Sequence, residues 1–328
     1  MHSPASQPTA SPWDWVPQGR RRDRPVTLLR LDGPDSLRLL HGQTSQALEG
    51  ARPGSRHATC CISATARMRA LAEVLVDAGG AWLVVQAGDG AAVRAALDRV
   101  LFPADDVRLG PLQAARLIEP LRPAAAGAAA GAGSGGATEA TWTPLDAGPG
   151  WWLGSSLLLP EGGEPSGALA SLTPLDASEA ERWRISCGEP AVPGEINDEL
   201  NPFELGLADR VSLSKGCYLG QETLARLATY DGVRQQLRRW HCPATTSATD
   251  RATTLATALA VGTVLHGADG ERAGRISSAL VLPEGGAIGL ALVRRQALEA
   301  AQLRAGVGAD APWLALSQAP GFVPPPLR

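Results

Sequence analysis

Residues 215–222 read KGCYLGQE. Eight positions hold a cation (Lys215), a thiol (Cys217), a primary amide (Gln221) and a carboxylate (Glu222), spaced by Gly216 and Gly220. That mixture suits a loop that does chemistry better than a core strand. A cysteine thiolate is a nucleophile and a metal ligand, and a nearby cation or helix N-terminus lowers its pKa from about 8.5. Lys215 stands two residues from Cys217, and a helix is predicted to begin near Gln221. The candidate chemistry is therefore a thiolate at Cys217 favoured by Lys215. A plain turn, with Cys217 as a small buried apolar residue, is the competing reading. The octet alone leaves both open.

Length and composition bound what such a loop can belong to. A chain of 328 residues predicts two or three domains. A net charge of −3 gives no global positive field for DNA or an anionic membrane. The runs Arg20–Arg22 and Arg294–Arg295 read as solvated, the first in a polar tail and the second opening a helix. Cysteines at 60, 61, 187, 217 and 242 show no CxxC spacing. Adjacent Cys60 and Cys61 would point to opposite faces of a strand, so joint ligation is not expected. His41, His57, His241 and His266 have no ligand spacing either, and no metal site is expected. Reduced thiols indicate a cytoplasmic protein. The first 25 residues lack the apolar core of a secretory signal, and no stretch predicts a membrane span.

The elements that must position the octet follow from apolar spacing. Residues 1–25 read as a disordered tail. VTLLRL (26–31) reads as a buried strand, and a helix follows from near Ser36 with an interruption at Gly42. Residues 68–86 contain two apolar runs about DAGG, a hairpin signal. Val93, Leu97 and Val100 share one helical face, and strand character resumes before Pro120. Residues 121–140 are mostly Ala and Gly and predict a flexible insertion. WWLGSSLLL (151–159) is strand-like again. A helix over ASEAERWRISC is marked by Ser178 with Glu181 at capping-box spacing and by Gly188 and Pro190 beyond it. RVSLS (210–214) reads as a strand and QETLARL (221–227) as a helix, which puts Cys217 between them. From residue 236 onward, short strands broken by HGADG and PEGG predict a small β-barrel. The whole predicts an α+β fold with antiparallel sheets.

KGCYLGQE followed by Arg226 resembles the signature of the YgfZ family of folate-binding proteins, relatives of the glycine-cleavage T-protein (aminomethyltransferase). LDGPDSLRLLHGQTSQAL (31–48), ERWRISCGEP (181–190) and GRISSALVLPEGGAIGLALVRR (274–295) resemble other segments of that family in the same order. The resemblance covers roughly residues 26–300. It implies a T-protein-like architecture of two interleaved α+β units over 26–235 and a C-terminal β-barrel over 236–328. It also implies tetrahydrofolate or a one-carbon derivative as cofactor, and iron–sulfur client or assembly proteins, including tRNA-modifying enzymes, as partners. A cluster needs about four thiolates, so one loop cysteine implies a transient or shared role.

A pterin needs an apolar face and a few directed hydrogen bonds. Gln43, Trp183, Gly216, Tyr218, Gln221, Glu222 and Arg226 are the candidate folate contacts. Against each stands a structural role, such as core packing for Trp183 and helix stabilisation for Glu222. The sequence departs from T-proteins at Ala70 and Leu71, where their catalytic aspartate falls, with Glu73 displaced. It departs again at Ser186, where they carry a glutamate, and at Ala66, where a glycine is expected. The resemblance thus implies a folate-binding accessory factor for iron–sulfur proteins, with a tetrahydrofolate-dependent one-carbon transferase or demethylase as the alternative.

Overall fold

The computed structural model describes residues 11–121, 140–244, 251–308 and 310–326. A period-two apolar pattern organises the first sheet. In β1 (Arg20–Asp32), Leu29 and Leu31 face one side while Val26 and Leu28 face the other. After α1 (Ser36–Gln43) come β2 (Arg56–Ile62), β3 (Met68–Asp77) and β4 (Gly80–Gly88), an antiparallel meander. Asp89 caps α2 (Gly90–Asp98), accepting from the amides of Ala91 and Ala92. β5 (Arg108–Pro120), β6 (Thr143–Pro144), β7 (Trp151–Leu153) and β8 (Ser156–Pro160) extend the sheet. Its order is β2-β3-β4-β1-β5-β8-β7-β6, and β9 (Thr173–Pro174) runs parallel beside the start of β1. Leu40, Val93 and Leu97 bring α1 and α2 onto one face. Trp82, Trp142 and Trp151 cover part of the other.

The chain then leaves the sheet through α3 (Ala177–Cys187) and reaches α4 (Gln221–Thr229) by a long loop. β10 (Gln235–Cys242), α5 (Arg251–Ala258), β11 (Val264–His266), β12 (Arg272–Val281), β13 (Ala287–Arg294), β14 (Gln302–Ala305) and β15 (Trp313–Ser317) follow. The six strands close a barrel in the order β10-β13-β12-β11-β14-β15, sealed by β10 against β15. Trp240, Ile276, Leu303 and Leu314 fill it. A Cβ at Gly289 would lie 2.0 Å from the Ser278 carbonyl oxygen and 2.3 Å from the Trp240 ring, so glycine lets the strands close around that indole. A further core joins sheet, loop and barrel through Met68, Ile185, Ile196, Phe203, Leu224 and Leu290.

Several sequence expectations need correction. Residues 11–25 are not a disordered tail, because β1 begins at Arg20 and its basic residues are paired. Arg22 is buried against Glu189 at 2.6 Å and Glu119 at 3.8 Å, and Arg21 donates to the carbonyls of Leu169 and Leu172. Upstream, the Trp13 ring lies 4.4 Å from the Arg239 guanidinium and the Trp15 ring 4.6 Å from that of Arg182. RVSLS is no strand; a short 3-10 turn at Ala208–Arg210 precedes irregular backbone. The capping box of α3 uses Asp176 and Glu179, two residues earlier than Ser178 and Glu181. The Ala/Gly insertion lies almost wholly outside the described residues.

Arg184 fastens the loop after α3 to the barrel. Its guanidinium donates to Ser278 Oγ at 2.7 Å and to the Glu189 carbonyl at 2.6 Å, and it lies 3.5 Å from the fully buried Glu195 carboxylate. Ser278 Oγ in turn donates to Glu195 at 2.8 Å. Removing one member of such a buried pair strands the other charge, at a cost of about 3–5 kcal/mol. Arg184→Met is therefore expected to lower stability by about that much in urea unfolding. Adding Glu195→Leu should recover part of the loss, and a single variant as stable as wild type would contradict the account.

Candidate functional site

The octet folds as a bracket between α1 and α4. The Ser212 amide donates to the Ser45 carbonyl at 2.9 Å, and the Leu219 amide donates to that of Gly42 at 3.0 Å. Gln221 Nε2 donates back to the Lys215 carbonyl at 3.1 Å. Gly220 caps α4 with φ +81, and a Cβ there would lie 2.6 Å from the Ser63 carbonyl oxygen. Only glycine meets both demands. On the far side of that contact Ala66 holds φ +59, the left-handed conformation for which the sequence led us to expect glycine.

Lys215 is the centre of the bracket. Its ammonium donates to the carbonyls of His41, Thr44 (2.7 Å) and Gln46 (2.8 Å), around the C-terminus of α1. All three N–H groups are thereby used. The Nζ also lies 4.2 Å from the Tyr218 ring centroid, and no carboxylate pairs with it among the described residues. Burial pushes its pKa down to about 7. The cation is thus committed to the end of α1, whereas the sequence suggested a free cation beside the thiol. His41 Nδ1 accepts from the amides of Leu48 and Glu49, which assigns its proton to Nε2, near Gly216. Burial, and then Lys215, lowers the His41 pKa.

Cys217 is exposed at the tip. The other cysteines differ from it: Cys60, Cys61 and Cys242 are buried, and burial pushes Cys60, Cys61 and Cys187 up to about 12. Tyr218 is a core residue whose hydroxyl finds no hydrogen-bond partner.

Beside the bracket lies a cleft of about 500 Å³. Ile62, Met68, Val93, Ile196 and Leu219 supply apolar walls, and Gln43 brings an amide from the end of α1. Two carboxylates reach it, and both are engaged. Asp89 caps α2, and Asp198 pairs with Arg69 at 3.0 Å. Of the residues singled out from sequence, the structure brings only Gln43 to this cleft, accompanied by Leu219 of the octet. Glu222 and Arg226 pair with each other in solvent, 79% and 71% exposed. Trp183 is half-buried on α3 and does not line the cleft. Sequence reasoning missed Met68, Arg69, Ile196 and Asp198. Asp198 has φ +62, a conformation Asp adopts more readily than most residues, but only the INDE run hints at that turn.

At the T-protein-like positions, Ala70 and Leu71 are buried in β3, and Ser186 is buried with an unpartnered hydroxyl. Glu73 stands 3.8 Å from Arg56. Among the described residues no cluster of three potential metal ligands occurs, and no helix is long and apolar enough to cross a membrane.

Glycine cleavage system aminomethyltransferase T from Bartonella henselae superposes with a TM-score of 0.66, over 94% of this chain and 87% of that one. The fold is that of a T-protein. Sequence identity to that structure is 16%, so the T-protein likeness is one of architecture. A putative chloroplastic transferase of Arabidopsis thaliana is 29% identical over 227 residues, or 64% of this chain. The match spans 52% of that relative, about half its length. No family model matches the sequence.

Two measurements follow from the bracket. Between about pH 7 and the ordinary lysine value, the unfolded chain holds a proton on Lys215 that the folded chain has released. Stability contributed by this group therefore rises with pH across that window. Lys215→Met should flatten the slope in urea unfolding at pH 7–10. It should also lose about 1–3 kcal/mol near pH 7 through unsatisfied carbonyls. A variant with an unchanged slope would assign the titration elsewhere. Alkylation of the native protein near pH 7.5, read by peptide mass mapping, should label Cys217 first and leave the buried Cys60, Cys61 and Cys242 unmodified. Labelling of the buried thiols at a similar rate would contradict the packing described.

Proposed function

We propose that this protein binds a reduced folate, tetrahydrofolate or a one-carbon derivative, and transfers the one-carbon unit that the folate carries. The T-protein architecture over nearly the whole chain is the observation that carries this reading. The cleft beside Gln43 suits the ring. Its volume is within the range of small-molecule sites, and its walls are apolar with a few polar groups, as a pterin requires. Ile62, Met68, Val93 and Leu219 would hold the ring faces, and Gln43 would donate or accept at its edge.

Transfer of the aminomethyl type is the form least supported. Ala70, Leu71 and Ser186 offer no carboxyl group, and Asp198 must first leave Arg69 before it can take a proton. Folate, when bound, supplies the one-carbon chemistry. The chain's own part is to enclose the ring, orient it through Gln43 and keep Asp198 at the rim.

A second reading, an accessory role in assembling or repairing iron–sulfur proteins of the kind implied by the YgfZ resemblance, is favoured by one observation. Cys217 is exposed at the tip of KGCYLGQE, where a partner protein or its iron can reach it.

Isothermal titration of the full chain with 5-formyltetrahydrofolate should give saturable binding. Gln43→Ala should weaken it about 3- to 10-fold, the worth of one hydrogen bond, while Cys217→Ser leaves it unchanged. No heat with any reduced folate would overturn the folate reading. If the accessory role holds, Cys217→Ser should fail to restore iron–sulfur enzyme activity in cells lacking the protein despite normal folate binding. Full rescue by that variant would remove the second reading.

A further inference from the structure

His41 belongs to the bracket but does not line the cleft. It stands in the last turn of α1, two residues before Gln43. Its Nδ1 accepts from the amides of Leu48 at 3.2 Å and Glu49 at 3.0 Å, at the exit of the turn over residues 44–49. Lys215 grips the same turn from its carbonyl side, through His41, Thr44 and Gln46. The turn is thus held by a ring that has to accept and an ammonium that has to donate. An imidazole Nδ1 accepts only while it carries no proton.

Position alone would invite a proton onto the ring, because the C-terminal end of a helix favours a cation. Lys215 already fills that place, so a second cation meets repulsion instead. Burial first, and Lys215 next, hold the His41 pKa below the ordinary value of about 6.5, while Glu49 opposes them. The unfolded chain therefore takes up a proton before the folded one does. Stability contributed by this group is lost as pH falls below about 6.5. Other elements packed on the turn add few groups that titrate there. Burial pushes Cys60 up to about 12 and raises Tyr218, so both stay neutral. Lys215 is charged below about pH 7. Arg210 is a fixed cation whose carbonyl takes the Ser45 hydroxyl. Asp209, whose carbonyl takes the Gln46 side-chain amide, is an acid with its pKa raised by burial, and is the rival to exclude.

A proton on Nδ1 would set an N–H against two amide N–H groups, and an imidazolium beside the ammonium. The ring would then swing out or the backbone at 48–49 would withdraw. Either movement unties the exit of the turn, and the entrance of the same turn builds the cleft. Gln43 and Thr44 line it, and the Gly42 carbonyl takes the amide of Leu219, which lines it too. The Ser45 carbonyl holds the Ser212 amide at the start of the bracket. We propose that His41 is a positioning residue: its neutral ring latches residues 44–49 so that Gln43 and Leu219 stand at the cleft, and protonation of Nδ1 in mild acid loosens both. The latch rests on these contacts alone; its effect on a ligand rests on the folate reading.

Hydrogen exchange on the full-length protein tests the latch without ligand, from about pH 7.5 to about pH 5, either side of the ordinary histidine value. Rates are expressed as protection relative to an unstructured chain. In the wild type, protection of the Leu48 and Glu49 amides is expected to fall about tenfold across that range, the worth of one or two hydrogen bonds. His41→Asn places a side-chain oxygen as many bonds from the backbone as Nδ1; it accepts and does not titrate, so its protection should stay level. His41→Leu offers no acceptor and should be poorly protected throughout. Titration with 5-formyltetrahydrofolate over the same range should show wild-type affinity falling about 3- to 10-fold toward acid, with His41→Asn nearly independent of pH. Level protection in the wild type, or an equal fall in His41→Asn, overturns the latch. Falling protection with a folate affinity that ignores pH overturns the positioning role. The expected exchange pattern with no folate bound at any pH overturns the folate reading and leaves the latch standing.

Discussion

One buried arginine sets the geometry on which the cleft depends. Arg184 reaches from α3 to Ser278 of the barrel and to Glu195, so the loop that leaves α3 cannot swing away from β12. That loop continues directly into Asn197–Leu200, whose backbone then pairs with Met68 at the start of β3. Sheet, loop and barrel are joined in one chain of polar contacts. The apolar core beneath, with Ile185, Ile196 and Phe203, supplies most of the free energy, but it is non-directional. The ionic and backbone contacts decide where the loop lies.

The octet divides its residues between two duties. Lys215, Gly220 and Gln221 build the bracket, their hydrogen-bonding and steric demands are met inside it, and the Tyr218 ring packs beside the ammonium. A lysine in this position does for the end of α1 what a capping residue does elsewhere, satisfying carbonyls and opposing the negative end of the helix dipole. Cys217, by contrast, takes no part in that scaffold. A group that a loop exposes while its neighbours are fully occupied is free to be used for something else. Leu219 serves both sides, since its amide holds α1 and its side chain enters the cleft.

Much of this was legible in the sequence wherever local pattern and tertiary context agree. The hairpin of β3 and β4 was marked by two apolar runs about a glycine turn, and the end of α3 by Gly188 with Pro190 beyond it. Legibility failed where charge is buried. Arg21 and Arg22 look like a solvated tail until Glu119, Glu189 and two distant carbonyls come into reach. QQLRRWHC (235–242) is a barrel strand although it reads as polar, because Arg238 stacks 5.1 Å from Phe322 and Arg239 beneath Trp13. RVSLS misled in the other direction. Val211 and Leu213 pack on the shared core, but no neighbouring strand offers them a ladder. Gln43 could be named from its segment, whereas Asp198 reaches the cleft only through contacts between remote parts of the chain.

The stacking of Trp13 and Trp15 on Arg239 and Arg182 ties the earliest described residues to α3 and the barrel. During synthesis the chain emerges from its N-terminus, and early domains tend to fold before later ones exist. The first sheet can assemble around β1 while Arg239 is still unmade, but the strap cannot dock until β10 has appeared. Its closure is therefore a late event, a molecular signature that the ribosome has delivered the barrel. A chain truncated before β10 would leave the Trp13 indole without its Arg239 partner, an apolar surface suited to recognition by chaperones.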